Sequence, residues 1–198
     1  MKRDAREERV WAAALKNFAR YGYKKTTIED IAADLDMSKG NLYVYARDKR
    51  NLYEKAVAFG LRRWQKHVLS AMDFSADPVQ LFVDISRASI RYLAVDPEMR
   101  AIVINDPAVF PLYPRDDPFY EINRESMDAL RHILQRGIDE GRFRSVDVEQ
   151  FTQFMYAVYI MFVHRAYVKN EGSAAEALFE SALDLALHGL LAQPTTDF

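Results

Sequence analysis

Residues 26–52 read TTIEDIAADLDMSKGNLYVYARDKRNL, a segment whose pattern predicts two short helices joined by a tight turn. Thr26 and Thr27 are each followed three residues later by an acidic residue, which is capping-box spacing. Apolar side chains then recur at helical intervals: Ile28, Ile31, Ala32 and Leu35. Ser38 restarts the pattern as the N-cap of a second helix over residues 39–45, which is too short to bury much. This is the layout of a helix-turn-helix, whose second helix enters the major groove of DNA.

Composition is typical of a folded globular protein of one or two domains. The 198 residues are 49% hydrophobic and include no cysteine, which excludes disulfides and thiolate metal sites and fits a reducing cytosol. No apolar run approaches the ~20 residues of a membrane span, and the N-terminus lacks a signal-peptide apolar region. We therefore expect a cytoplasmic protein that does not enter a membrane.

Charge is distributed unevenly along the chain. Residues 1–55 hold 13 Lys/Arg and 9 Asp/Glu, a net charge of +4, whereas residues 56–198 hold 14 and 20, a net charge of −6. A basic N-terminal part on an acidic remainder favours a nucleic-acid-binding module attached to a second unit.

Three elements in the first third of the chain resemble the DNA-binding domain of the tetracycline-repressor (TetR) family of bacterial transcriptional regulators. They are FARYGY at residues 18–23, TIEDIA at residues 27–32, and SKGNLYVY followed by DKRNL within residues 38–52. Asp36 stands where the family usually has a turn glycine, and Ala46 stands where it usually has phenylalanine. Because aspartate tolerates the left-handed backbone conformation better than most residues, we expect the turn to form.

The predicted interface with double-stranded DNA centres on the second helix of this motif. Lys39 can address guanine acceptors, Asn41 can address adenine bidentately, and Gly40 lets the backbone approach the groove. As helix caps, Thr27 and Ser38 can also donate to phosphate. The resemblance implies three further phosphate-contacting residues: Tyr43, Tyr45 and Lys49. Packing in the core is the alternative role for the two tyrosines.

The remainder of the chain reads as helical. The first helix ends at Gly22, and Asp48 caps a fourth helix running to about residue 72, roughly 35 Å long and able to join two cores. The other predicted helices cover residues 78–95, 98–105, 119–140, 147–169 and 173–191. We expect an all-α fold of about nine helices. Its predicted division is a three-helix DNA-binding domain at residues 1–50 and a helical ligand-binding and dimerisation domain at residues 51–198.

Aromatic side chains are concentrated in the middle of the chain. The resemblance implies that the second domain binds a small molecule and alters the spacing of two DNA-binding domains. The aromatic content favours a partly apolar effector, although core packing is the alternative for any one aromatic. The predicted ligand-binding residues are Trp64, His67, Phe82, Tyr92, Phe110, Tyr113 and Asn123.

The last two predicted helices are apolar over a wide arc. The apolar residues are Phe151, Phe154, Met155, Val158, Tyr159, Phe162 and Val163 in one helix, and Leu178, Leu183, Leu185, Leu187, Leu190 and Leu191 in the other. Helices of this kind must be covered on more than one side. A second copy of the chain is the favoured cover, which predicts a homodimer, and a central place in the monomer is the alternative.

Catalytic and cofactor motifs are not found in the sequence. It has no glycine-rich phosphate loop, no His-Glu-x-x-His motif and no Gly-x-Ser-x-Gly elbow. We therefore predict no enzyme activity, no cofactor and no metal. The favoured function is a ligand-responsive, dimeric repressor that binds a palindromic operator. The alternatives are a helix-turn-helix regulator without a small-molecule effector, acting through a protein partner or as an activator, and a helical enzyme or scaffold with a coincidental motif.

Overall fold

The chain is helical along nearly all of its described length. The computed structural model describes residues 2–111 and 118–192, and within these ranges nine α-helices follow one another. They are α1 (Lys2–Lys25), α2 (Ile28–Asp34), α3 (Lys39–Leu42), α4 (Lys49–Ser70), α5 (Pro78–Val95), α6 (Pro97–Asn105), α7 (Tyr120–Asp139), α8 (Val148–Val163) and α9 (Ser173–Leu190). A 3₁₀ turn, Pro107–Val109, follows α6, and a π-helical turn, His164–Val168, extends α8. The all-α prediction is confirmed.

The caps read from the sequence hold the helix-turn-helix in shape. Thr27 Oγ1 accepts from the Asp30 amide at 3.1 Å, while the Asp30 carboxylate accepts from the Thr27 amide at 2.9 Å. Ser38 Oγ accepts from the Asn41 amide at 3.2 Å. Asp36 adopts a φ of 53°, so the expected left-handed turn forms without a glycine.

The regular part of α1 ends at Gly22, as predicted. Gly22 is non-helical at φ 77° and ψ 160°, and the span Lys2–Lys25 joins two helical pieces across this kink. Thr26 is fully buried across this kink, and its hydroxyl donates to the Gly22 carbonyl at 2.9 Å. The glycine therefore kinks α1, and the chain resumes one more turn before α2.

The second helix of the motif is shorter than predicted. It ends at Leu42 instead of residue 45, because the next amides bond three residues back and not four. The Val44 amide donates to the Asn41 carbonyl at 3.3 Å, and the Tyr45 amide donates to the Leu42 carbonyl at 2.9 Å. The chain tightens here into a turn that presents residues 43 and 44 outward.

Helix α4 belongs to both halves of the molecule. We call α1–α3 the head and α5–α9 the body. The first half of α4 buries Leu52 and Ala56 where it packs with α1, and its second half buries Trp64 within the body. Between them lies Gly60, where an added Cβ would stand 2.2 Å from Met99 Sδ of α6. Helix α4 therefore packs closely on α6 at this point, and it runs from the head into the body with no flexible linker between them.

The body is built around α5 and α7. These two helices contact each other, α5 also contacts α8 and α9, and α7 contacts α8. The π-helical turn after α8 contacts both α6 and α9. Over residues 2–111 and 118–192, no helix combines the length and apolar character needed to cross a membrane.

Candidate nucleic-acid interface and internal cavity

The short helix α3 turns its polar residues outward. Leu42 is 1% exposed and anchors the helix on the core, whereas Lys39, Gly40 and Asn41 are all exposed. Tyr43, which follows directly, is 43% exposed. An ammonium, an amide and a phenol are therefore available on one small surface, and these groups can reach base edges and phosphates.

Lys39 already has a partner on this surface. Its Nζ lies 2.5 Å from Glu29 Oε1 of α2, with both side chains more than half exposed. The hydrogen bond from Lys39 lowers the pKa of Glu29, and the same bond raises the pKa of Lys39. Both groups are therefore charged at neutral pH, and a nucleic acid that binds Lys39 competes with a neighbouring carboxylate.

The two predicted tyrosines lie in different environments. Tyr43 is exposed, whereas Tyr45 is half-buried with its ring edge-on to Trp11 at 6.4 Å. Lys55 strengthens this corner because its Nζ donates to the Tyr45 carbonyl at 2.6 Å and lies 4.9 Å from the Trp11 ring centre. The corner adjoins Ala46, which is buried with 5% exposure. Tyr45 thus combines a packing role with its predicted DNA contact.

Lys49 and Thr27 are also held by neighbours. Lys49 Nζ donates to the Lys24 carbonyl at 3.2 Å and lies 4.7 Å from the ring centre of Tyr23. It therefore supplies a cation at the C-terminal end of α1. The Thr27 hydroxyl donates to Asp30 at 2.6 Å within the capping box and is exposed.

Val44 is a surface residue that the sequence reasoning missed. It is 75% exposed at the outer end of the helix-turn-helix, between the two tyrosines. An exposed β-branched side chain beside a recognition helix suits contact with a thymine methyl group. The sequence carried no signal for it, because residues 43–45 were predicted as helix and lie instead in a turn.

A cavity of about 130 Å³ lies in the body against α4. Its apolar wall includes Trp64, Phe110, Met127, Met155, Tyr159 and Phe179. Trp64 is edge-on to Phe110 at 5.6 Å and to Tyr159 at 6.3 Å, so three rings meet at one side. His164 Nε2 approaches the Phe110 carbonyl at 2.7 Å, which ties the wall to the π-helical turn.

The polar part of the cavity lining is made of amides and hydroxyls: Gln65, Ser86, Ser89, Asn123, Ser126 and Tyr156. Gln65 Nε2 donates to Ser126 Oγ at 2.7 Å and to the Ile122 carbonyl, which fixes the amide between α4 and α7. The serines of α5 donate to the carbonyls four residues back, at 2.7 Å each. Most of these polar groups are therefore satisfied before any ligand enters.

Three of the predicted ligand residues line this cavity: Trp64, Phe110 and Asn123. Tyr113 lies outside the described residues. The other three are placed elsewhere by their helices. His67 is exposed and lies outside the lining, with its ring centre 5.1 Å from that of Tyr92, whereas α4 turns Leu61, Trp64 and Val68 toward the interior.

Phe82 and Tyr92 are buried beside the cavity but not in its lining. Phe82 packs against Phe143 at 6.1 Å and Phe151 at 6.2 Å. Tyr92 stacks on Trp64 at 5.1 Å with an interplanar angle of 19°. Both aromatics serve packing, the alternative role named for them.

Tyr92 connects Trp64 of the cavity wall to the ion pair of Asp96 and Arg63. Its hydroxyl donates to Asp96 at 2.6 Å, and Arg63 Nη2 of α4 reaches the same carboxylate at 2.6 Å. Burial and the bond to Asp96 raise the pKa of Tyr92 to about 12. Asp96 also caps α6 by accepting from the Met99 amide at 3.0 Å. The cavity wall is thus connected to the junction of α4, α5 and α6.

The sequence reasoning missed several lining residues, among them Tyr159 and Gln65. Tyr159 had been read with the apolar arc of α8, and Gln65 had no signal beyond its position one residue after Trp64. Which face of a helix meets a cavity depends on its neighbours in space, and those are not visible in local spacing.

The fold and the exposed motif define a helix-turn-helix DNA-binding protein with a helical second domain. Residues 10–56 match the family model described as "Bacterial regulatory proteins, tetR family". Over these residues the chain therefore has the DNA-binding region of a TetR-family transcriptional regulator.

Individual proteins are similar to this chain along most of its length. The transcriptional repressor KstR2 of Mycolicibacterium smegmatis is 25% identical over 189 residues, covering 94% of this chain and 91% of that protein. The fatty acid degradation regulator FadR from Bacillus halodurans has a TM-score of 0.73 at 17% identity, covering 91% of this chain and 94% of that chain. FadR from Bacillus subtilis, solved with stearoyl-CoA, has a TM-score of 0.72 at 19% identity, with 91% and 97% covered. Both FadR structures have the same fold as this chain.

Proposed function

We propose that this chain is a ligand-responsive, dimeric transcriptional repressor. In this proposal α2 and α3 bind a palindromic DNA operator, and a small molecule in the body releases it. The observation that carries the proposal is the cavity against α4. Lys49 begins this helix beside the recognition segment, and Trp64 of the same helix lines the cavity. A ligand that prefers one position of α4 would change the arrangement of the heads.

The DNA contacts follow from exposure. Lys39 and Asn41 read base edges, Val44 contacts a thymine methyl, and Tyr43 donates to a phosphate. Lys49 adds positive charge near the phosphate backbone from the end of α1. The ion pair of Lys39 with Glu29 must rearrange when Lys39 meets a base.

Dimerisation is assigned to the outer faces of α8 and α9. Several large apolar side chains remain exposed there: Phe154 at 55%, Met161 at 40%, Leu178 at 39% and Leu185 at 73%. Their inward neighbours Phe162 and Leu183 are buried in the body. The helices are thus apolar on two sides, and a second copy is the cover that a two-fold operator requires.

Relatives support the switch. KstR2 is named a repressor, and the FadR structure from Bacillus subtilis holds stearoyl-CoA. We infer the same kind of regulation here. Because sequence identity to these relatives is low, the effector of this chain can differ chemically from theirs. Because the named relatives are regulators, we also infer that the chain has no enzymatic activity of its own.

The DNA-binding assignment is tested by fluorescence anisotropy with labelled DNA from the region upstream of the chain's own gene and with a scrambled duplex. Asn41→Ala is expected to relax discrimination at particular base pairs, each worth about 1–3 kcal/mol. Lys49→Ala is expected to weaken binding to both duplexes and to reduce the salt slope by about one. Because Lys49 also contacts the end of α1, circular dichroism must first show that this variant is folded. Equal effects of both changes on both duplexes would contradict the roles.

A screen of apolar small molecules for release of the bound DNA tests the switch. Release by at least one compound, lost when the cavity is filled by Ser89→Phe, supports a small-molecule effector. If no compound releases DNA that is bound with sequence preference, the regulator acts without a small-molecule effector, through a protein partner or as an activator.

A further inference from the structure

Within residues 2–111 and 118–192, no charged side chain lines the cavity. Among the described residues that line it, the polar members are amides and hydroxyls such as Gln65 and Ser126. Burying an ionised carboxylate or ammonium without a partner costs several kcal/mol. A ligand that enters this space therefore leaves any ionised group outside it.

The wall of the cavity favours hydrocarbon. Phe110 and Tyr159 meet edge-to-face at 6.2 Å, and both are edge-on to Trp64. Met127 and Met155 complete the lining, and their flexible thioethers can adapt to ligands larger than the present volume of about 130 Å³. Apolar area that a ligand buries here supplies most of its binding free energy.

Tyr159 differs from the other hydroxyl groups of the lining. Ser86 and Ser89 donate to carbonyls of their own helix, but the Tyr159 hydroxyl has no hydrogen-bond partner among the described residues. Burial, with smaller contributions from Tyr156 and Tyr167, raises its pKa well above the usual value, so the hydroxyl keeps its proton and can donate. Tyr159 is half-buried on the cavity lining, so its hydroxyl can donate to an acceptor of a bound ligand.

We propose that the effector is an uncharged, mainly hydrocarbon molecule with one hydrogen-bonding group, and that the Tyr159 hydroxyl binds this group. This inference rests on the proposed function, because it names the ligand class of the same cavity. It also fixes the specificity: a neutral alcohol, ketone or ester is accepted, and the corresponding carboxylate or ammonium ion is not.

The test uses Trp64 as the reporter. The chain has two tryptophans, so Trp11→Phe leaves Trp64 in the cavity wall as the single fluorophore. This protein is titrated without DNA at pH 8 with 1-octanol, octanoate and octylammonium, which share one chain length. Octanol is expected to bind more than a hundredfold more tightly than either ion. Octanoate binding that equals or exceeds octanol binding, or no binding by any of the three, would overturn the proposal.

A pH series sharpens this comparison. Because the neutral acid is the form that the cavity accepts, the apparent affinity for octanoate is expected to rise about tenfold for each pH unit lowered from 8 to 6. The affinity for octanol should stay constant over the same range. A flat octanoate profile would show that the anion itself binds.

Tyr159→Phe tests the anchor. Removing the hydroxyl is expected to weaken octanol binding about three- to tenfold. Tyr167→Phe is the matched control, since the Tyr167 hydroxyl donates to the Ile90 carbonyl at 3.2 Å and lies outside the lining. Equal octanol affinity in the Tyr159→Phe and parent proteins would refute the assigned anchor.

Operator release is measured separately, by anisotropy of labelled DNA with 1-octanol added. Binding of octanol without release of DNA would refute the switch and leave the ligand class standing. Release by octanoate at pH 8, but not by octanol, would refute the ligand class and leave the switch standing.

Discussion

The carboxylate of Glu29 lies on the proposed DNA-binding surface, beside Lys39. Its side chain is 59% exposed and pairs with Lys39. The carboxylate therefore repels DNA phosphates, and it also holds in place the Lys39 ammonium that is proposed to read a base. An exposed pair of this kind contributes little to folding. We expect the pair to affect the discrimination between DNA sequences, because the correct base can replace the carboxylate as the partner of Lys39 and a wrong base cannot.

Glu29→Gln is expected to raise the affinity for scrambled DNA about two- to fivefold and to lower the ratio of operator to scrambled affinity. The reason is that the variant removes one repulsive charge and frees Lys39 for phosphates. Anisotropy titrations of both duplexes over a salt series measure the ratio. Glu121→Gln is the control, because Glu121 is a 71% exposed carboxylate paired with Arg124 of α7, in the body. An unchanged ratio in Glu29→Gln would show that Glu29 has no part in specificity.

At the scale of single residues, the sequence was informative where the controlling contacts are local. Thr27, Ser38 and Asp48 were identified as caps, and each accepts a backbone hydrogen bond as expected. The division of the aromatics between cavity and core was not predictable. Trp64 and Tyr92 share a stack, yet only Trp64 meets the open space, and this depends on helices far apart in the chain.

Among the secondary-structure elements, the junction of α4, α5 and α6 depends on one carboxylate. Asp96 ends α5, caps α6, and binds Arg63 of α4. Burial by itself would raise the pKa of Asp96, but hydrogen bonds from the Met99 amide and Tyr92, with the charge of Arg63, outweigh it and lower the pKa. The stabilising effect is therefore present above the unfolded pKa and is lost as the pH falls through the lower, folded value.

Asp96→Asn is expected to lower the free energy of unfolding at pH 7 by about 1–2 kcal/mol, since Arg63 is 36% exposed and remains partly solvated. The difference from the parent protein should shrink as the pH is lowered from 5 toward 3, because the parent carboxylate then becomes protonated. Urea unfolding at several pH values measures both effects. Asp139→Asn serves as the control, since Asp139 is an exposed carboxylate bonded to Gln135. A pH-independent difference would contradict the assigned charge interaction.

The existence and order of the helices were predictable, and their ends less so. The helix over residues 78–95 was predicted with the bounds that it has, because Pro78 and the Asp96-Pro97 pair punctuate it. The end of α3 was missed, because the residues there are compatible both with α-helical hydrogen bonds to the fourth residue back and with turn hydrogen bonds to the third residue back. The π-helical turn His164–Val168 was also not predicted, because the helix predicted over residues 147–169 runs through it.

For the molecule as a whole, the head depends on α4, which the predicted division at residue 50 assigns almost entirely to the second domain. Leu15 and Phe18 of α1 are almost fully buried, and Leu52 and Ala56 of α4 are buried where these two helices pack. Tyr53 adds a hydrogen bond at 2.8 Å to Asp106, beyond α6. The head and body are thus structurally continuous, even where their functions differ.

A fragment of residues 1–50 is expected to be largely unfolded, because it lacks the half of α4 that covers α1 and falls below the ~60 residues at which small domains become marginal. A fragment of residues 1–72 restores that cover and should regain helical content. Circular dichroism and the dispersion of amide proton resonances measure the two fragments. Cooperative thermal unfolding of the shorter fragment would establish residues 1–50 as an independent domain.

The unbroken course of α4 also constrains how this head can be exchanged. Each residue added to an α-helix rotates everything beyond it by about 100°. One residue inserted after Gly60 would leave the head intact and turn Trp64 out of the cavity wall. Grafting this head onto the body of a relative therefore requires that the two α4 helices be joined in the same angular phase and that α1 pack on α6 of the new body.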